Sequence, residues 1–253
     1  MSAHLPSNLR IDGDRLMDRL FRLGQVGALE GVVVCRLVLT DADKAGRNLV
    51  VGWMRDLGLE VSIAGISNHA GTTPMRLRHD AGYVAAAIAT HASQIAREMG
   101  GDQVGTSGII ALEPNLINVI ARRAKVTVDL RNTDEAMLQE AERRMSARVA
   151  ELEREEGVKI AARTLARFRP VDFDPAMVER VAAVAEVLGH SVRRMPSGAG
   201  HDAQMFASNC PTAMIFVPSK GGISHNVREY TAPQEIAVGA NVLLQVLLSV
   251  ASE

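Results

Sequence analysis

Aromatic side chains are scarce in this 253-residue sequence, with one Trp, two Tyr and five Phe, 3% of the chain. A groove that stacks nucleic-acid bases needs such rings, and a surface that tracks phosphates needs an excess of cations. The 28 Lys and Arg are balanced by 29 Asp and Glu and are dispersed among them, for a net charge of -1. A nucleic-acid partner is excluded on both counts. Cysteine is nearly absent. Cys35 and Cys210 lie far apart and form no Cys-x-x-Cys motif, which excludes a disulfide framework and a thiolate zinc site. Both read as small buried hydrophobes. No secretory leader and no unbroken apolar run long enough to span a bilayer is visible, so no membrane partner and a cytoplasmic location are expected. Repeats and low-complexity tracts are missing too. What is present is 47% hydrophobic and 23% charged residues, the composition of a folded chain with room for one large domain or two small ones.

Apolar periodicity divides the chain into three parts. In the first, Leu16, Met17, Leu20 and Phe21 recur at helical spacing after Asp12-Gly13, with Gly24 as a stop. Thr40 and Asp43 form a capping-box pattern ahead of a second stripe of Leu49, Val50, Trp53, Met54 and Leu57, which Gly58 ends. The middle part begins with a strand at 59–64 and continues through a helix from Arg76 to Met99 and a strand from Val104 to Leu112. A strand from Ala124 to Arg131, a charged helix and a strand from Val158 to Phe168 complete it. The order is βαββαβ, the ferredoxin-like arrangement in which two helices cover one face of an antiparallel sheet. Leu138, Ala141, Met145, Val149 and Leu152 keep a seven-residue seam, which fits packing on the sheet and is too short for a coiled coil. After Arg169-Pro170 come a helix from Met177 to Leu188, a helical piece at Ala203–Ala207, a buried strand at Ala213–Val217 and an apolar closing helix from Ile236 to Val250. Two strands are too few for an α/β sheet covered on both faces.

Three segments are more polar or glycine-rich than a connector requires. In Asn68-His69-Ala70-Gly71-Thr72-Thr73-Pro74-Met75, Thr72 or Thr73 can cap the helix, Pro74 suits its first turn, and His69 remains to donate or accept a hydrogen bond. The plainer alternative is a helix cap with an incidental histidine. In the second, Glu113 to Ile120 precedes the strand ending Asp129-Leu130-Arg131, whose alternation projects Asp129 and Arg131 from the face opposite Val128 and Leu130. Arginine clamps a carboxylate with two parallel bonds, and the Asn118 amide can add a third; alternatively Arg131 pairs with Asp129 or with solvent. The third comprises Ser197 to Ala203 and its companion Ser219 to Asn226, two flexible turns that carry His201 and His225. Such loops are the usual position of sites in α/β sheets, and neutral imidazole is the commonest metal ligand, although a lone loop histidine is also an ordinary surface residue.

Together these strings, NHAGTTPM, NLINVI, VDLR, SGAGHDA and GGISHNVREYT, resemble those of the zinc- or manganese-dependent amidohydrolases of the N-carbamoyl-L-amino-acid hydrolase and allantoate amidohydrolase type, within the aminoacylase and carboxypeptidase superfamily. The stretch from Arg36 to Asp43 and Val51-Gly52-Trp53-Met54 resemble the first helices of that family. The resemblance implies an α/β catalytic domain with a two-metal site, interrupted by a smaller lid that also forms a homodimer. Residues 1–58 and 169–253 then belong to the catalytic domain, and the ferredoxin-like lid and dimerisation domain is inserted at 59–168. It further implies that His69 polarises the substrate in the neighbouring subunit's site. Asn118 and Arg131 then hold the carboxylate of a small-molecule substrate, Gly200 and His201 line its pocket, and His225 is a ligand of zinc or manganese.

The sequence departs from the family between Gly58 and Asn68, where relatives carry a His-x-Asp strand end, a bridging Asp, a Glu-Glu pair and a second ligand histidine. Here the chain passes from the second helix through one strand straight to Asn68, and the catalytic domain is incomplete. His4, His79, His91 and His190 have no motif context and do not replace the missing ligands. A metal lowers the pKa of bound water from about 15.7 to about 7, roughly eight powers of ten of hydroxide at neutral pH. One oxyanion donor contributes about 10² to 10³. The sequence therefore predicts an amidohydrolase relative impaired as a hydrolase of the linear amide or ureido C–N bonds of N-carbamoyl-L-amino acids or allantoate. The other reading is a non-catalytic dimerisation partner that lends His69, Asn118 and Arg131 to a full-length paralogue. Apolar faces on the two C-terminal helices, shaped for a larger sheet, are expected to be exposed or buried in an oligomer.

Overall fold

The computed structural model describes residues 10–25, 28–29, 33–34 and 58–252. Cys35, His4, the capping box at Thr40 and the second helical stripe at Leu49–Leu57 lie outside the described residues. In chain order the elements are helix α1 (Gly13–Gln25), the short strands β1 (Ala28–Leu29) and β2 (Val33–Val34), β3 (Gly58–Ala64), α2 (Ala81–Met99), β4 (Val104–Thr106), β5 (Ile110–Glu113), β6 (Arg123–Arg131), α3 (Glu135–Glu156), β7 (Lys159–Ala166), α4 (Pro175–Val187), α5 (Ala203–Phe206) and α6 (Pro233–Ala251). They form two compact units, one of Gly46–Pro170 and one of Met1–Ala45 with Val171–Glu253.

The first unit is a mixed α/β structure built on an antiparallel sheet. β6 and β3 are its centre, β7 flanks β3, and both β4 and β5 pair with β6. Register follows alternation: Val61 lies opposite Val126 and Ile63 opposite Ala124, and these side chains all point into the core. The same face receives Val84, Ala85, Ile88, Ala92 and Ile95 of α2 and Ala141, Met145 and Leu152 of α3. The seam of α3 is thus helix-on-sheet packing, with Val149 lying against that core. On the outer face Glu60 lies between Lys125, at 3.1 Å, and Arg163, at 3.5 Å, and the Lys125 hydrogen bond holds its carboxyl below the ordinary carboxylate range.

Capping explains where the helices begin. Asp134 accepts from the Met137 amide at 3.0 Å, and α3 stops at Gly157, whose left-handed φ of 61° suits glycine. There is no room for a side chain there, because a Cβ on Gly157 would lie 2.7 Å from His79 Nδ1, which bonds the Glu156 carbonyl at 3.0 Å. The outer turn of α3 concentrates charge. Glu140 accepts from Arg143 Nε at 2.7 Å and from Arg144 Nε at 2.8 Å, and the two guanidinium groups lower its pKa from 4.5 to about 2. A depressed carboxylate stabilises the fold above its unfolded pKa and loses that contribution as pH falls through the folded value. Glu140→Gln is therefore expected to reduce the fall in melting temperature between about pH 5 and about pH 2 relative to the parent, as followed by circular dichroism.

The second unit is mainly helical among the described residues. Asp12 caps α1 through the Arg15 amide at 2.9 Å, and α1 runs one residue past Gly24. The Ile11 amide donates to Asn241 Oδ1 at 2.5 Å, tying this segment to α6. α4, capped by Asp174 with Pro175 in its first turn, packs Val184 and Ala185 against Val242 and Val246 of α6. α6 is long and apolar enough by length and composition to cross a bilayer, although Asn241 and Gln245 interrupt its apolar run. Leu243, Leu247 and Val250 form an exposed stripe on it at i, i+4 and i+7.

Several expectations are corrected. Residues 213–217 form no strand: Ala213 to Ile215 are half-buried, Phe216 and Val217 exposed, and a ladder needs a neighbour that the described residues do not supply. The strand expected at 104–112 is two strands, separated where Ile109 exchanges bonds with Thr127, its amide donating to Oγ1 and its carbonyl accepting from the Thr127 amide, each at 3.1 Å. Cys210 is exposed, not buried, because it follows the short α5 on an open turn.

Candidate active site

His69 is held by the chain that leaves β3. The Gly65 amide donates to the Arg122 carbonyl at 2.8 Å and the Ile66 amide to the His79 carbonyl at 2.9 Å. This approach is so close that a Cβ on Gly65 would meet the His79 oxygen at 2.0 Å. Asn68–Ala70 then pairs antiparallel with Asn118–Ile120, through Ile120 N to Asn68 O and Ala70 N to Asn118 O, both 2.9 Å, with a bridge between His69 and Val119. Two exposed candidates, His69 and Asn118, are thereby brought side by side.

The turn that follows differs from its expected use as a helix cap. Thr73 is buried and closes back on the loop, its hydroxyl donating to the His69 carbonyl at 2.7 Å. Met75–Leu77 is a single 3-10 turn, and α2 starts only after Asp80, whose carboxylate accepts from the Gly82 and Tyr83 amides at 2.8 and 3.2 Å. Asp80 offers the stronger cap, which frees Thr72, Thr73 and Pro74 to shape the histidine loop. The His69 ring is engaged at Nδ1, which accepts from the Gly71 amide at 3.0 Å and the Thr72 amide at 3.2 Å. Arg78, which belongs to none of the sequence motifs, donates from Nε to the Thr73 carbonyl at 3.0 Å and from Nη2 to the Ala70 carbonyl. A basic residue just beyond a polar turn is its only trace in the sequence.

Arg131 ends β6. Its Nε lies 3.1 and 3.0 Å from the two oxygens of Asp129 and its Nη2 donates to Oδ2 at 2.7 Å, so the pairing left open by the sequence is made. The Asp129 hydrogen bond raises the Arg131 pKa, against a desolvation that lowers it. Arg131 is not near His69 and Asn118 within one chain. Those two lie beyond the Arg123 end of β6, and eight residue steps of about 3.4 Å put Arg131 roughly 27 Å farther along.

The other candidates belong to the second unit. Gly200 stands exposed in the turn before α5, with nothing within 4 Å of the place where a Cβ would sit. His201 Nδ1 accepts from the Ala203 amide at 3.0 Å, so this ring helps start α5. His225 is exposed with a left-handed φ of 54°, and its amide donates to Glu229 Oε2 at 2.8 Å. The Lys220 amide closes this loop on the Tyr230 carbonyl at 2.8 Å. Among the described residues no three His, Cys, Asp or Glu side chains converge on one point. A cocatalytic centre needs several imidazole and carboxylate donors together, and this donor set does not fit one.

The model of the peptidase family M20/M25/M40 matches residues 22–249. An N-carbamoyl-L-amino-acid amidohydrolase of Rhizobium meliloti is 38% identical over 193 residues, 76% of this chain and 46% of that protein. The allantoate amidohydrolase of Escherichia coli (strain K12) is 36% identical over 204 residues, 81% of this chain and 49% of that protein. The chain spans about half the length of the curated relatives it matches. A crystal structure of an amidase of the hydantoinase/carbamoylase family from Burkholderia vietnamiensis superposes with a TM-score of 0.75 at 38% identity, covering 77% of this chain and 47% of that one.

Proposed function

The chain belongs to the peptidase family M20/M25/M40, and from that premise we propose that it is a relative of the amidohydrolases of N-carbamoyl-L-amino acids and allantoate that keeps the lid and is impaired as a hydrolase on its own. The observation that carries this reading is the contrast between the two units. The antiparallel unit, read as a ferredoxin-like lid at 59–168, has a buried core of its own and presents His69 and Asn118 at one end and Arg131 at the other. The remainder, read as the incomplete catalytic domain, supplies His225 with no converging donors among the described residues. The exposed stripe on α6 and the segment at 213–217, which has no strand partner among the described residues, support the incompleteness.

In this reading His69 donates from Nε2 to the oxygen that gains charge as the amide or ureido carbon is attacked, Asn118 and Arg131 bind the substrate carboxylate, and Gly200 and His201 border the pocket. His225 stands as a zinc or manganese ligand only where the other donors are supplied. A small substrate cannot reach from Asn118 to Arg131 of the same chain across roughly 27 Å of strand. Two chains can supply the two ends, which supports a homodimer through the lid. Exposed Ile110 and Leu112 on the edge strand β5, beside exposed Ile109, support the same pairing. A cytoplasmic location is part of the reading and is consistent with the exposed free thiol of Cys210.

The same separation favours the second reading, a dimerisation partner that lends its lid to a full-length paralogue. Mixing the chain with an intact amidohydrolase relative whose own lid histidine is replaced by alanine tests it. Restored turnover of an N-carbamoyl-L-amino acid, abolished again when the added chain carries His69→Ala, is expected of a lending partner. Failure of the two chains to exchange subunits, by light scattering and co-purification, removes that reading.

A further inference from the structure

We propose that Arg78 is a positioning residue that locks the His69 ring in one tautomer, with the proton on Nε2 and Nδ1 kept as an acceptor. Only the catalytic consequence rests on the reading of His69 given above; the lock itself follows from the loop. A backbone N–H can bond only to an unprotonated ring nitrogen, and Nδ1 accepts two of them, from Gly71 and Thr72. In a neutral ring the proton is then on Nε2.

Arg78 holds those amides in place. The Ala70 carbonyl and the Gly71 N–H belong to one planar trans peptide, so they point in opposite directions. Arg78 Nη2 grips the Ala70 oxygen, which turns the Gly71 N–H away from the guanidinium and onto His69. Its Nε grips the Thr73 carbonyl at 3.0 Å, so the two ends of the turn that offers both amides are fixed by one rigid fork. Thr73 closes the loop from the other side, its amide and its hydroxyl donating to the His69 carbonyl at 3.2 and 2.7 Å. Arg78 is half-buried against the turn it holds. A ring held this way is suited to donate to a developing oxyanion from Nε2 and unsuited to serve as a general base through Nδ1.

The test is the 15N spectrum of the full chain with labelled histidine, taken where the ring is neutral, with the His69 signals assigned by their loss in His69→Ala. In the parent, Nδ1 is expected at the shift of an unprotonated nitrogen and Nε2 at that of a protonated one. In Arg78→Met the separation between the two signals is expected to collapse as the tautomers average, while His79, His91 and His190 keep their positions and report an intact fold. Arg78→Lys, whose compact ammonium cannot reproduce the fork, is expected to fall between the two and serves if the methionine variant does not fold. A parent Nδ1 that is protonated, or His69 signals that stay in place in either variant, overturns the proposal. The measurement needs no turnover. If the lock is seen but adding an N-carbamoyl-L-amino acid leaves His69 unmoved, it is the catalytic reading of His69 that fails.

Discussion

Purified chain supplied with zinc or manganese and an N-carbamoyl-L-amino acid is expected to release product at least about five powers of ten more slowly than an intact relative under the same conditions. The figure follows from two magnitudes. A metal-bound water is deprotonated near neutral pH, and its loss removes roughly eight powers of ten of nucleophile. In the proposed reading, what the antiparallel unit retains is an oxyanion donor at His69, worth about 10² to 10³. The lost nucleophile outweighs the retained donor, and the carboxylate-binding role proposed for Asn118 and Arg131 does not close the gap because it generates no nucleophile. The described donors leave no way around the deficit: His225 has Glu229 at its backbone amide, and no third ligating side chain joins them. Initial rates of amino-acid release measure it, and a rate within about tenfold of the intact relative contradicts it.

Gly65→Ala is expected to destabilise the antiparallel unit by about 3 kcal/mol or more, at the upper end of overpacking penalties. The added methyl group would sit 2.0 Å from the His79 oxygen and 3.1 Å from the Ala81 nitrogen, both backbone atoms that cannot rotate aside. Relief requires separating the two strands of chain that carry the Ile66 to His79 bond, and with it the base of the His69 loop. The melting temperature is expected to fall by roughly 12 °C or more. Gly200→Ala is the control. Nothing lies within 4 Å of its Cβ position, so its stability is expected to stay within about 0.5 kcal/mol of the parent. Urea unfolding of both variants, with unchanged m-values, reads the difference.

How much of this was legible in the sequence depended on how local the signal was. The faces of α2, α3 and β6 follow from periods of 3.6 and 2, since Ile88, Met145 and Val126 recur where burial demands them. Turn chemistry misled where two local candidates competed. Thr72, Thr73 and Pro74 looked like a helix start, but the helix waits for Asp80, and the nearer residues fold onto His69. The segment at 213–217 has the composition of a strand, and no neighbour among the described residues makes it one. The pairing of His69 with Val119, which carries Asn118 alongside, joins positions some fifty residues apart, and no periodicity reports it. The place of Arg131 at the end of β6 was legible but not its remoteness from His69, which comes from the uninterrupted run of β6.

The measurement that bears most directly on the proposed incompleteness of the metal site is the metal content of the same purified sample, by elemental analysis after dialysis against zinc and against manganese. Less than one tightly held ion per chain is expected, with product release at the background rate. Two ions per chain, retained through dialysis and accompanied by turnover of an N-carbamoyl-L-amino acid, would contradict it.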